Sequence, residues 1–383
     1  MQRLELTADT IGPVGRGHPW VYRSGLKETP HSPGTPVQLM DGRGKAVGFG
    51  LTDEGDISVR VLGRYPEPLP RLIAARIKEA AASRAILIPA QTNTFRVING
   101  AGDGLPGLVV DRYGGVAVVR LYGRCWEPWL DDITAAVSQL DGIVSILRRY
   151  GVRRVDNRKG ADVLHGPRPS ESFVVEEAGM KFLVRPYIGQ KTGLFLDQRA
   201  HRIQIGRISG SHKEVVNLFG YTGGFSVYAA AAGAARVTTV DISEAAIADA
   251  RENFRLNGLP VDRHRFVVTD VFKWTAGDEK PDLLICDPPS LSRSAKSDNK
   301  AAVAYRDLAT RCGREVPSGG LLATASCTAR LSQPRWEQAI GDGLRKAGRW
   351  SWLWRAAEPM DHPVSAHHNE GRYLKFAILR RRH

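Results

Sequence analysis

Residues 215–226 read Val-Val-Asn-Leu-Phe-Gly-Tyr-Thr-Gly-Gly-Phe-Ser: a buried-type strand, a glycine-rich turn and the start of a helix. Glycines let a backbone approach a ligand, and a helix start offers unpaired N–H groups. In a parallel α/β sheet, ligands sit over this turn at the carboxyl ends of the strands. The turn reads FGYTGG and lacks the GxGxxG spacing of a dinucleotide cradle, which disfavours a pyrophosphate. Asn217, Phe219, Gly220, Tyr221, Thr222 and Gly223 are therefore candidate binding residues for a smaller cofactor. The next strand ends at Asp241, before Ile242, roughly 20 residues beyond the turn. A carboxylate there can accept hydrogen bonds from both ribose hydroxyls, or it can cap the helix that follows. The third strand ends at Asp270-Val271, with a carboxylate where an adenine amino group would lie, and the fourth at Asp287. Four successive strands ending in Asn or Asp on one edge point to a nucleoside cofactor. Cys327, within Ala-Ser-Cys-Thr, ends the fifth strand on that same edge. Cysteines outside disulfides are more often small buried hydrophobes, but this position beside Ser326 and Thr328 makes Cys327 a candidate nucleophile.

The elements that must hold these residues alternate strand and helix from about residue 186 onward. Buried-type strands fall at 215–218, 237–241, 266–270, 283–287 and 321–326, with helices at 225–232, 244–257, 301–314 and 334–347. Two late strands, near 350–355 and 373–379, follow without a long helix between them. The expected fold is α/β: a doubly wound, mostly parallel seven-stranded sheet with an antiparallel final strand. Ahead of it, short strands at 35–40, 45–50 and 57–62 suggest a small β-barrel. Residues 15–22, which include Trp20, read as a turn mixing cations with aromatics. A proline-rich link at 65–70 then leads to an α+β block. The expected divisions are residues 1–66, 70–185 and 186–383.

Composition narrows the class. The 383 residues are 42% hydrophobic and 25% charged, which excludes a disordered chain. Four scattered cysteines form no CxxC pair, which fits a reducing cytoplasm and offers no metal site. The start of the chain lacks a signal-peptide layout, and no run approaches the roughly 18 apolar residues of a membrane helix, so a cytoplasmic protein is expected. Lys plus Arg total 54 against 40 Asp plus Glu, and the net charge of +14 favours polyanionic partners, most often nucleic acid. Arg148, Arg149, Arg153, Arg154, Arg158 and Lys159 form one basic run and Arg380-Arg381-Arg382 another, both candidates for phosphate contacts.

The ordered set NLFGYTGG, VDIS, TDVF and CDPPS resembles the class I S-adenosylmethionine-dependent methyltransferases. More narrowly, the chain is similar to bacterial large-subunit ribosomal RNA cytosine-5 methyltransferases that carry an N-terminal PUA-like domain. The similarity rests on residues 17–21 (GHPWV), 103–113 (DGLPGLVVDRY), 189–199 (GQKTGLFLDQR), 361–363 (DHP) and 370–375 (EGRYLK), and it spans nearly the whole chain.

The resemblance implies S-adenosylmethionine as cofactor and RNA as partner, either 23S ribosomal RNA or a large-subunit assembly intermediate, and it allows a homodimer. It aligns Cys327 with the family's nucleophile, which adds to C6 of cytosine so that C5 becomes nucleophilic. Asp287 would hydrogen-bond or protonate N3, and Pro288 and Pro289 would turn backbone carbonyls to the exocyclic amine. Lys191 and Asp197 would flank the methionine end of the cofactor, and Arg199 the target phosphate. Trp20 and Arg154 would contact RNA beside an extruded base. Two departures stand out. Ser290 occupies the position of the second cysteine in two-cysteine cytosine methyltransferases, which suggests a single-cysteine mechanism. Ala101 stands where the family usually has Glu. Methylation of another RNA base position, or a cofactor-binding rRNA assembly factor, stays open at this level.

Overall fold

A computed structural model describes residues 1–28, 32–152, 155–156, 158–291 and 298–383. The chain divides into two compact units. The first comprises residues 1–177, 184–196 and 360–371; the second comprises 178–183, 197–359 and 372–383.

In the first unit, β1 (Gln2–Glu5), α1 (Ala8–Gly15), β2 (Trp20–Tyr22), β3 (Pro36–Met40), β4 (Ala46–Thr52) and β5 (Ile57–Gly63) come first. Their strands form a sheet of order β1-β3-β4-β5-β2 over a core of Leu4, Leu6, Val14, Val21, Val37, Leu39 and Val59. Of the segment read as a turn at 15–22, residues 16–19 do form the turn, while Gly15 ends α1 and residues 20–22 form the strand β2. With two glycines and Pro13, α1 has little intrinsic helix signal to read. α2 (Leu69–Leu87) starts with Pro70 in its first turn, where the missing N–H costs nothing. β6 (Thr94–Asn99), β7 (Leu108–Tyr113), β8 (Val116–Leu121), α3 (Leu130–Ser138), β9 (Ser145–Arg149) and β10 (Ala161–His165) follow. Their sheet runs β10-β9-β8-β7-β6. A helix over 126–140 is expected from sequence, but residues 124–129 form a 3₁₀ turn around Pro128. Phe49, Leu51 and Leu62 join the core of α2, α3 and this second sheet, so both sheets share one unit.

After β11 (Phe173–Glu177) and β12 (Met180–Val184), the second unit brings α4 (Arg199–Ser209), β13 (Glu214–Leu218), α5 (Gly224–Ala231), β14 (Arg236–Asp241) and α6 (Glu244–Leu256). It continues through β15 (Arg265–Val268), β16 (Leu283–Cys286), α7 (Asp298–Glu315), β17 (Leu321–Ser326), α8 (Gln333–Leu344), β18 (Trp350–Ala356) and β19 (Lys375–Arg381). The seven-stranded order is β15-β14-β13-β16-β17-β19-β18. The first five strands are parallel, and β19 runs antiparallel to both neighbours. Val216, Leu218, Leu284, Cys286 and Leu322 share a core with α7 and α8. Their alternates Val215, Leu283, Ile285 and Ala323 are fully buried too, as a sheet covered on both faces requires.

The polar heart of the first unit is Asp111, which is fully buried. It accepts from Arg96 Nε (2.8 Å) and Nη2 (3.1 Å) and from the Thr192 hydroxyl (2.6 Å), which is itself bonded to Tyr113. Replacing one partner of a buried pair strands the other charge, at a cost of about 3–5 kcal/mol. Asp111→Asn should therefore lower the urea midpoint of full-length protein by a corresponding amount, and a change below about 1 kcal/mol would contradict this reading.

Candidate active site

The glycine-rich turn after β13 is held in a conformation that side chains resist. Phe219 (φ +57°) and Tyr221 (φ +48°) occupy the left-handed region, as does Gly223 (φ +76°). A Cβ at Gly220 would stand 2.6 Å from Thr239 Cγ2, so the turn lies tight against β14. Asp241 secures it: one carboxylate oxygen accepts from the Tyr221 N–H (2.9 Å), the other from the Ser243 N–H (2.9 Å). The helix cap of α6 is Ser243, whose hydroxyl accepts from the Ala246 N–H, so Asp241 does not serve as that cap. A carboxylate has about four lone-pair sites, so Asp241 keeps acceptor capacity toward a ligand. Beside it, the Ile242 side chain is 71% exposed. Asn217 is fully buried; its Nδ2 donates to Ser226 Oγ (2.9 Å), and its Oδ1 has no hydrogen-bond partner among the described residues. Asp270 lies in a turn two residues beyond β15, where it accepts from the Phe272 N–H (2.9 Å), while Val271 is buried.

Register carries the edge onward. Leu218 pairs with Val240 and with Cys286, Val240 with Val267, and Cys286 with Thr324. The residues just past this level are Phe219, Asp241, Asp287 and the Ala325–Cys327 stretch. Asp287 accepts from Gln198 Nε2 (3.0 Å). The Thr328 hydroxyl is hydrogen-bonded both to Ser290 (3.2 Å) and to Tyr305 of α7 (3.0 Å). These contacts tie the segment after β16 to the segment after β17. Cys327 is half-buried, whereas Cys125, Cys286 and Cys312 are buried. Cys286 faces the core beside Cys312, which with burial pushes its thiol well up. Burial also pushes the Tyr305 phenol up to about 12.

Behind the edge, α4 buries an unusually polar face: Arg199, His201, Arg202 and Ser209. Gly224 admits Arg202, since a Cβ there would lie 3.0 Å from its Cδ. His201 stacks on Phe376 (4.3 Å between ring centres) and faces Gln198 Oε1 (2.5 Å) and the Ala357 carbonyl (3.0 Å). Burial pushes its imidazole down to about 4, against the upward pull of the Ala357 carbonyl and Asp197. Asp197 is itself buried and accepts from the Tyr373 hydroxyl (2.7 Å).

Residues 95–333 match the S-adenosylmethionine-dependent methyltransferase family, and residues 4–64 match the PUA-like domain family. A ribosomal RNA large subunit methyltransferase of Deinococcus radiodurans is 36% identical, over 95% of this chain and 93% of that protein. Ribosomal RNA large subunit methyltransferase I of Aeromonas salmonicida is 34% identical over 96% of each. The chain belongs to the PUA-containing, S-adenosylmethionine-dependent large-subunit ribosomal RNA methyltransferases. Its fold matches a Streptococcus mutans chain described as a SAM-dependent methyltransferase (TM-score 0.87, 24% identity, 99% of this chain and 100% of that one). A second such structure, solved with S-adenosylhomocysteine, gives a TM-score of 0.89 at 23% identity, over 99% of this chain and 100% of that one.

The cofactor of this methyltransferase is S-adenosylmethionine, and the tight glycine turn, the strand-end Asp241, the exposed Ile242 and the orphaned Asn217 oxygen suit a nucleoside. Most residues expected from the sequence meet on one edge of the second unit: Asn217, 219–223, Asp241, Asp270, Asp287 and Cys327. Pro288 is buried and Pro289 exposed at the same place. Asp197 and Arg199 lie in the same unit and are buried. Lys191 falls in the first unit, its ammonium 4.5 Å from the centre of the Phe195 ring. Trp20 is also in the first unit, edge-on to His368 at 4.1 Å. Arg153 and Arg154 lie outside the described residues. The rest of that basic run is largely engaged within the protein. Arg148 pairs with Glu127, Arg149 donates to the Pro186 and Gly189 carbonyls, and Arg158 pairs with Asp162. Arg381 likewise turns inward to the Val316 carbonyl at the end of α7. Sequence reasoning missed Gln198, His201, Tyr305 and Lys375. The methyltransferase's 370–375 segment drew attention to Lys375 without giving it a task.

Asp241→Ala should weaken S-adenosylhomocysteine binding by about 10–100-fold, as the loss of charge-assisted hydrogen bonds implies, with the fold intact by circular dichroism. Unchanged affinity would contradict the ribose assignment. A second expectation concerns pH. The folded-state pKa of His201 lies below its ordinary 6.5, so the unfolded chain binds the proton more readily. Its stabilising contribution is complete above pH 6.5 and is lost as pH falls toward about 4. Urea stability should decline across that window, and His201→Gln should flatten the slope; equal slopes would contradict the assignment.

Proposed function

We propose that this methyltransferase methylates C5 of a cytosine in 23S ribosomal RNA through a covalent adduct between Cys327 and C6. The observation that carries the reading is the half-buried thiol at the end of β17, on the same sheet edge as Asp287 and the cofactor turn. Its curated relatives are named for large-subunit ribosomal RNA, and the N-terminal PUA-like domain and net charge of +14 suit an RNA partner in the cytoplasm.

Asn217, residues 219–223, Asp241, Ile242, Asp270 and Val271 would hold S-adenosylmethionine, with Asp197 toward its methionine end. The cofactor supplies an electrophilic methyl group. C5 of cytosine is a poor nucleophile until a thiolate adds to C6, which places enamine-like density on C5. Asp287, fixed by the Gln198 amide, would donate from its protonated carboxyl to N3, or pass the proton to it, and so neutralise the charge that this addition pushes into the ring. Carbonyls at Pro288 and Pro289 receive the exocyclic amine. Once C5 carries the methyl group, a base takes the C5 proton, the electron pair of that C–H bond restores the C5–C6 double bond, and the C6–sulfur bond breaks to return Cys327 as thiolate. The Ser290 hydroxyl is engaged with Thr328, so no second thiol stands at that position to assist release. Trp20 is the proposed contact to RNA outside the base, since Arg199 is buried in α4.

Cys327→Ala should cut formation of 5-methylcytosine in unmodified 23S ribosomal RNA by about 10³-fold or more while leaving S-adenosylhomocysteine affinity unchanged. Nucleoside mass spectrometry reads both position and yield. A methylated guanine or uracil in place of 5-methylcytosine, or full activity of the variant, would overturn the reading.

A further inference from the structure

Lys375 is a buried cation of the second unit to which the mechanism above gives no task. Lys375 begins β19 and pairs across the antiparallel register with Ser326, the neighbour of Cys327. The residue is 2% exposed. Its ammonium donates to the carbonyl of Thr328 (2.7 Å), the other neighbour of Cys327, and to that of Tyr373 (3.0 Å). Strand pairing on one side and the ammonium on the other thus clasp the backbone around the thiol. Burying an ammonium is costly unless a negative charge compensates it. Glu358, just after β18, contributes from a distance, its carboxylate held by the N–H groups of Tyr373 and Leu374. Among the described residues, no carboxylate makes an ion pair with Lys375.

Tyr305 on α7, held neutral by burial, interacts both with the thiol and with Asp287 after β16. Lys375 on β19 is a cation that interacts with the thiol. We propose that Lys375 is a positioning residue for the nucleophile: its ammonium stabilises the Cys327 thiolate and raises the fraction of reactive sulfur near neutral pH. This rests on Cys327 being the nucleophile. Burial lowers the Lys375 ammonium to about 8, with Glu358 and Cys327 pulling the other way. The ammonium therefore dominates at pH 7 and fades above about 8, so the support it gives the thiolate is strongest at and below neutrality.

The test is the rate of Cys327 alkylation by iodoacetamide against pH in the full-length protein, read by peptide mass spectrometry; the other three cysteines are buried. The wild-type midpoint should fall below the ordinary thiol value of about 8.5. Lys375→Met should raise it by about one pH unit or more, slowing alkylation about tenfold at pH 7, and Lys375→Arg should keep it near wild type. A Lys375→Met protein that binds S-adenosylhomocysteine normally and alkylates with the wild-type midpoint would overturn the proposal. So would a wild-type midpoint at or above about 8.5, whatever the variant's folding. Methyl transfer by Cys327→Ala would instead defeat the nucleophile reading while leaving the alkylation result intact.

Discussion

The constraint on which the second unit depends is the in-register pairing of its parallel strands. Leu218, Val240, Val267, Cys286 and Thr324 are linked pairwise through the ladder, so the chain leaves β13, β14, β16 and β17 at nearly the same height. Everything that can do chemistry is what the chain presents just past that level: the Phe219–Gly223 turn, Asp241, Asp287 and Cys327. Slipping β16 by one residue would draw Asp287 into the buried place of Cys286 and off the ligand edge. Continuous apolar burial on both faces of the sheet forbids that slip, because Leu284 and Cys286 fill one core while Leu283 and Ile285 fill the other.

On top of this register sits a set of polar ties whose burial makes them count. A buried hydrogen-bonding group left without a partner costs about 1–3 kcal/mol, so each tie holds its segment to one geometry. Thr328 joins Ser290 and Tyr305, Gln198 joins His201 to Asp287, and Asp241 closes the glycine-rich turn. The left-handed backbone at Phe219 and Tyr221 shows that this closure outweighs local strain, as is common where a backbone must meet a ligand.

Much of this edge was legible in the sequence because its signals are local. β17 spans 321–326 as expected, and β13, β14, β16 and α6 differ from expectation by a residue at an end. Glycine spacing and strand-end carboxylates are one-dimensional patterns, so they survive without coordinates. What was not legible is long-range. His201 and Gln198 look like ordinary surface residues of a polar helix start until β19 supplies Phe376 and the stretch after β18 supplies the Ala357 carbonyl. Lys375 reads as a surface lysine until antiparallel pairing sets it opposite Ser326. The partners of Arg148, Arg149 and Arg158 within the basic run at 148–159 were hidden in the sequence as well. A count of arginines cannot show that Glu127, Asp162 and backbone carbonyls already engage them. At the amino terminus, α1 and β2 escaped because Gly12, Pro13 and Gly15 mask a helix that packing, not propensity, sustains.

The central claim is that the thiol of Cys327 bonds to the base while the methyl group is transferred. RNA containing 5-fluorocytidine tests it most directly, because fluorine at C5 leaves no proton to lose and blocks expulsion of the thiol. Incubation with full-length enzyme and S-adenosylmethionine should yield a protein–RNA complex stable to denaturant, with the cross-linked peptide mapping to Cys327. Methylation of ordinary RNA without any trapped complex, or a complex mapping to another residue, would contradict the account.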